Sequence, residues 1–176
     1  MIVVKLGGSL YDHPNLRIGL NRWLHSLPAP VFIVPGGGPF ADVVRAMDRI
    51  HGLGERAAHW IALQSLVTAA DFVRSLVDRN DVYVVDSLEY CRRNDLLPHS
   101  WQVTTDSLSL FLAMREGADR LILLKSQARP GGDWNELAER EYVDRYFPTL
   151  AARSDLAIEC VDFRGWLDDQ RNVESR

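Results

Sequence analysis

Ile2-Val3-Val4-Lys5-Leu6-Gly7-Gly8-Ser9 opens the chain with an apolar run that ends on a lysine and a pair of glycines. A run apolar on every position reads as a strand buried on both faces, as in a parallel sheet covered by helices. The same pattern returns at Val31-Phe32-Ile33-Val34, which ends on Pro35 and three glycines. It returns again at Val82–Val85, at Leu121-Ile122-Leu123-Leu124, which ends on Lys125, and at Leu156–Val161. Helical periodicity fills the intervals. Leu16, Leu20, Trp23, Leu24 and Leu27 predict one helix, and Phe40, Val43, Val44, Met47 and Ile50 a second. The longest runs over 55–79, with Ala62, Leu66, Ala69, Val73 and Leu76 on one face and Ile61, Leu63 and Val67 beside it. Another starts near Thr105 and stops at Gly117, and a weaker one covers 137–152. Residues 86–103, around Pro98, read as irregular, 127–135 as a loop, and the last ten residues as a polar, frayed end. Alternating strands and helices predict an α/β fold: a compact three-layer αβα sandwich on a mostly parallel central sheet.

The 176 residues, 47% hydrophobic and 25% charged, fit one globular domain over 1–176. A net charge of −4, with no basic cluster larger than Arg92-Arg93, argues against nucleic acid as a partner. No apolar segment reaches the roughly 18 residues needed to span a bilayer. No signal peptide is visible at the start. Cys91 and Cys160, far apart and without metal-ligand spacing, read as free thiols of a reducing cytoplasm.

Only two lysines stand against eighteen arginines, and both close buried strands. Lysine is a compact charge on a flexible stem, where arginine is a planar fork. Lys5 beside Gly7, Gly8 and Ser9 suggests an anion site in which bare backbone N–H groups assist a mobile cation; a plain tight turn with an exposed lysine is the alternative. Gly36, Gly37 and Gly38 lie between a strand and a helix, where N–H groups and the helix dipole favour a phosphate. Neither loop is GxxxxGK[ST] or GxGxxG. Asp106 near a helix start is also what an ordinary cap or dipole partner looks like, and Trp101 alone reads as a core residue.

Taken together, KLGGSL at 5–10, VPGGGPFAD at 34–42, TTDSLS at 104–109 and GADRLILLKS at 117–126 resemble the amino acid kinase family, which includes the aspartate, glutamate and uridylate kinases. Order and spacing agree over roughly residues 1–126. Within the family, the string PxSWxVTxDS at 98–107 and the His59-x-x-Ala62 spacing resemble the short kinases of methanofuran biosynthesis, which act on an aminomethyl-furanyl-methyl phosphate. The resemblance implies in-line phosphoryl transfer from ATP with Mg2+ to a phosphorylated small molecule. The long helix, apolar on more than one face, suggests a homodimer or higher homo-oligomer, as in relatives of the family. The resemblance also implies that Lys5 bridges donor and acceptor phosphates and that Asp106 orients the catalytic lysines. Gly7, Gly8 and Ser9, with Ser126, would hold nucleotide phosphates, while Gly36, Gly37 and Gly38 cradle the acceptor and His59 and Trp101 contact it. The chain departs from the family after Leu124. Lys125-Ser126-Gln127-Ala128-Arg129 stands where a Thr-Asp-x-x-Gly type string is usual, and a shortened C-terminal nucleotide lobe follows. Either Lys125 takes the role of the second catalytic lysine, or the nucleotide half is incomplete and the chain is a non-catalytic nucleotide- or metabolite-binding module. A kinase for a carboxylate or carbamate is a further alternative.

Overall fold

The computed structural model describes residues 1–28 and 30–174, with side chains through residue 170. Five strands, β1 (Ile2–Leu6), β2 (Val31–Pro35), β3 (Val82–Val84), β4 (Arg120–Lys125) and β5 (Ala157–Asp162), form one sheet in the order β3-β2-β1-β4-β5. Every neighbouring pair is parallel. The predicted α/β architecture is therefore present, and the sheet is wholly parallel. The helices are α1 (Leu16–His25), α2 (Gly38–His51), α3 (Glu55–Leu76), α4 (Ser87–Arg93), α5 (Thr105–Arg115), α6 (Trp134–Glu139), α7 (Phe147–Ala151) and α8 (Phe163–Glu174).

Side chains alternate between the two faces of a strand, and the core divides accordingly. Val3, Leu121 and Leu123 pack toward α5, α6 and α7, with Leu108, Leu112, Leu137 and Phe147. Ile2, Val4, Leu6, Ile122 and Leu124 face the other way, against Leu20 and Leu24 of α1 and Phe163 and Leu167 of α8. Lys5 lies opposite Leu123 in the β1–β4 register, so Lys125 is two residues further along and on the same face. The chain moves outward from β1 through β2 to β3, then crosses back to place β4 on the other side of β1. That reversal opens a crevice at the carboxyl ends of β1 and β4, the usual ligand position in sheets of this kind.

Three expectations change. Residues 86–103 are not wholly irregular: α4 forms behind the Asp86 cap, whose carboxylate accepts from Glu89 N at 2.9 Å. The 137–152 stretch is two short helices, α6 and α7, parted where Glu141 adopts a left-handed φ of 56°. Such a backbone ends an α-helix. The polar end is helical through Glu174, because burying Phe163 and Leu167, one turn apart, gives α8 enough of an apolar contact. Residues 175 and 176 of that end lie outside the described residues.

The two glycine loops are pressed backbone to backbone. A Cβ on Gly8 would stand 2.2 Å from Gly38 N, one on Gly36 would stand 2.4 Å from Gly8 N, and Gly38 itself has φ of 50°. These glycines therefore let the start of α2 dock on the loop after β1. Gly8→Ala has no side chain to push aside, only backbone, and should destabilise the fold by about 1–3 kcal/mol. A urea midpoint equal to that of the wild type would contradict this packing account.

Candidate active site

Lys5 and Lys125 reach the same carboxylate. Lys5 Nζ lies 2.8 Å from Asp106 Oδ1, and Lys125 Nζ donates to Asp106 Oδ2 at 2.8 Å. All three side chains are buried. The Lys5 contact is an ion pair rather than a well-aligned hydrogen bond, so Oδ1 keeps unused acceptor capacity. Burial alone would raise the Asp106 pKa, but the Lys5 and Lys125 charges outweigh it and hold the carboxyl below its usual value. Lys125 is shifted down, first by burial and then by repulsion from Lys5, with Asp106 partly offsetting both. Two ammoniums against one carboxylate leave one net positive charge. A buried excess of that sign favours a bound anion. The Lys125 ammonium also sits 5.1 Å above the Tyr142 ring.

Asp106 is not the cap of its helix. Thr104 is, its hydroxyl facing Asp106 N, which leaves the Asp106 carboxylate free to turn toward the lysines. A residue that the sequence did not single out holds this arrangement. Asp144, between α6 and α7, accepts from Thr104 N at 2.9 Å, Thr104 Oγ1 at 2.8 Å and Ser107 N at 2.9 Å, and also from the Ser107 hydroxyl. It further accepts from Tyr146 N and Phe147 N, so one carboxylate ties the starts of α5 and α7 together. Burial pushes the Asp144 pKa up, as does the like charge of Asp106, and the Ser107 and Thr104 donors oppose both. No motif marks this residue: it is an isolated aspartate in a weakly patterned segment.

The lysines open onto a cleft of about 330 Å³ at the carboxyl ends of the strands. Gly7, Gly8, Ser9, Gly36, Gly37, Gly38, His59, Trp101 and Ser126 all line it, so it gathers the sequence-predicted residues around the lysine pair. Two of the expected backbone donors are already engaged. Gly7 N donates to Leu124 O at 3.0 Å and Gly36 N to Leu6 O at 2.7 Å, each extending the sheet beyond its last side chain. Their N–H groups are not available to a phosphate. Among the described residues, Gly8, Ser9, Gly37 and Gly38 donate no such backbone bond. Ser9 Oγ donates to Ser126 Oγ at 2.9 Å, linking the loops after β1 and β4. Tyr11, another residue the motifs did not indicate, donates its hydroxyl to Gly36 O at 2.6 Å.

At the other end of the cleft, Trp101 donates Nε1–H to Asp48 Oδ2 at 2.7 Å, and the Arg45 guanidinium stacks 4.9 Å from its ring. Arg45 is in turn held by Asp42 at 2.8 Å. His59, one helical turn into α3, presents an imidazole to the same wall. The cleft thus has a cationic floor with open N–H groups, and a flat aromatic and charged wall.

A structural comparison finds the same fold in uridylate kinase from Archaeoglobus fulgidus, at a TM-score of 0.66 and 20% identity, covering 91% of this chain and 89% of that one. The UMP kinase of Bacillus anthracis matches at a TM-score of 0.59 and 18% identity, covering 92% and 86%. The chain therefore has the amino acid kinase fold. In sequence it is similar to the [5-(aminomethyl)furan-3-yl]methyl phosphate kinase of Methanocaldococcus jannaschii, 27% identical over 85% of this chain and 82% of that protein. No protein-family model matches the chain.

Asp106→Asn would leave two buried ammoniums without their counter-charge. Removing one partner of a buried ion pair typically costs about 3–5 kcal/mol. The variant should unfold at lower urea, and added sulfate should restore more of the loss than it adds to the wild type. An unchanged urea midpoint would show that the lysines are solvated independently of Asp106.

Proposed function

We propose that the chain is an ATP-dependent kinase that transfers the γ-phosphoryl group to the phosphate of a small aminomethyl-furanyl-methyl phosphate, giving a diphosphate in the synthesis of a one-carbon cofactor such as methanofuran. The observation that carries the reading is the pair of lysines converging on Asp106 at the floor of a cleft bordered by open N–H groups. Joining two phosphates is opposed chiefly by their charge, so a protein promotes it by positioning and neutralisation. Lys5 would bridge donor and acceptor, Lys125 would stand as the second lysine, and Asp106 would keep both aimed. Gly8 and Ser9 N–H, with the Ser126 hydroxyl, suit the nucleotide phosphates; Gly37 and Gly38 N–H, at the start of α2, suit the acceptor. His59 and Trp101 stand on the wall that a flat furan ring would meet. Both oxygens of Asp106 face lysines, so a magnesium ion would ride on the nucleotide phosphates. Residues after Lys125 would serve as a compact nucleotide lobe within the single domain.

The ion pair of Lys125 with Asp106 supports the reading in which Lys125 takes the second lysine's role rather than that of a non-catalytic module. Purified protein with Mg-ATP should phosphorylate [5-(aminomethyl)furan-3-yl]methyl phosphate, and Lys5→Ala should lower turnover about 100-fold or more with the fold retained. Absence of transfer to that acceptor, or wild-type turnover in the variant, would refute the assignment.

We further propose that the protein works in the cytoplasm as a homodimer. No helix among the described residues is long and apolar enough to cross a membrane. The long helix is a poorer dimer face than its sequence suggested, since Leu63 is buried, Val67 packs on the core, and of the three side-stripe residues only Ile61 is exposed. The unpartnered apolar face instead runs along α2, where Val43, Met47 and Ile50 are exposed, and α2 packs on α3. Sedimentation at micromolar concentration should give a dimer that Val43→Glu with Ile50→Glu converts to monomer; a wild-type monomer would contradict this.

A further inference from the structure

His59, which lines the cleft, belongs to a group of three side chains whose other members, Asp95 and His99, are not part of the cleft lining. His59 projects from α3, while Asp95 and His99 belong to the segment 94–104 that joins α4 to α5. One ligating atom from each lies within 4.8 Å of the other two. His99 Nε2 is 2.7 Å from Asp95 Oδ1, and the His59 and His99 rings stack with centroids 4.2 Å apart and planes 12° from parallel. Trp60 packs edge-on against both imidazoles, at 5.3 and 5.5 Å. Among the described residues, neither ring nitrogen of His59 makes a hydrogen bond, although the ring is half-buried. Burial, followed by the neighbouring His99, lowers the His59 pKa against a smaller opposing pull from Asp95.

We propose that His59, Asp95 and His99 form a three-ligand site for a divalent transition-metal ion of the zinc or cobalt kind, which ties the 94–104 segment to α3. Two imidazoles and one carboxylate are a donor set such ions favour, while magnesium prefers oxygen ligands. The site is thus chemically distinct from any magnesium that accompanies a nucleotide. Donor atoms around tetrahedral zinc stand roughly 3.4 Å apart, given metal–ligand bonds near 2.1 Å. The His99–Asp95 contact of 2.7 Å would lengthen, the wider separations within the 4.8 Å limit would shorten, and the stacked rings would turn toward one centre. Rotation about χ2 of histidine is soft and allows the rings to turn. Trp101 and the Thr104 cap lie on the same segment, so the ion would steady the cleft wall and the approach to Asp106.

The test uses untagged, chelator-stripped protein without nucleotide. Titrated Co2+ should bind with one-to-one stoichiometry and a visible d–d absorption, and Zn2+ should displace it. His59→Ala and His99→Ala should each weaken Zn2+ binding on the order of 100-fold and Asp95→Asn about 10-fold, while Lys5→Ala and His25→Ala leave it unchanged. Circular dichroism of the metal-free variants checks their fold; if an alanine variant is unfolded, His59→Gln or His99→Gln decides in its place. Absence of saturable uptake, or uptake insensitive to His59, would overturn the proposal.

Discussion

One carboxylate shared by two ammoniums organises this molecule. Asp106 is buried, and a charge in that position is tolerable only with partners of opposite sign held close by. Its partners come from adjacent strands, at the register positions that put both lysines on one face. Three elements, β1 and, about a hundred residues on, the consecutive α5 and β4, must therefore be in place before the centre exists. Asp144 then fixes α5 from a fourth segment by accepting from its first turn. The centre retains one net positive charge beside open N–H groups, an arrangement whose field favours anions.

The glycines play a different part from the one their sequence suggests. A Gly-rich loop after a strand is ordinarily read as bare backbone awaiting a phosphate. Here the N–H groups of Gly7 and Gly36 are spent prolonging the sheet, while Gly8 and Gly38 lie against each other too closely for any Cβ. The N–H groups that remain open are those left over once this docking is complete. Lysine at strand ends has a similar logic. A flexible stem lets two charges converge on one carboxylate from positions two residues apart along the sheet, where the planar guanidinium of arginine would need a wider space.

The strands were legible because each is buried on both faces, and a fully apolar run has few other readings. Helices α1, α3 and α5 were legible because their stripes span several turns. The elements that escaped are short and depend on contacts made elsewhere. Helix α4 needs only Leu88 and Cys91 buried, and α8 only Phe163 and Leu167, so neither writes a long periodic pattern. The break between α6 and α7 rests on one left-handed glutamate, a conformation that sequence pattern does not announce. On α2 the periodicity was read correctly, yet most of the stripe faces outward rather than into the core.

By itself the sequence determined the fold class, the succession of the five strands and the longer helices, and the identity of the charged and glycine-bearing segments, because these follow from local periodicity and composition. Four motifs in order also carried the resemblance to a kinase family. Tertiary structure alone decided that Lys125 stands beside Lys5, that Asp106 serves both instead of capping its helix, that Asp144 secures it, and that His59 meets Asp95 and His99. Each of these is a contact between residues tens of positions apart, set by strand register and helix docking. No local pattern encodes such a pairing, since the energy that selects it appears only when the separated segments are packed together.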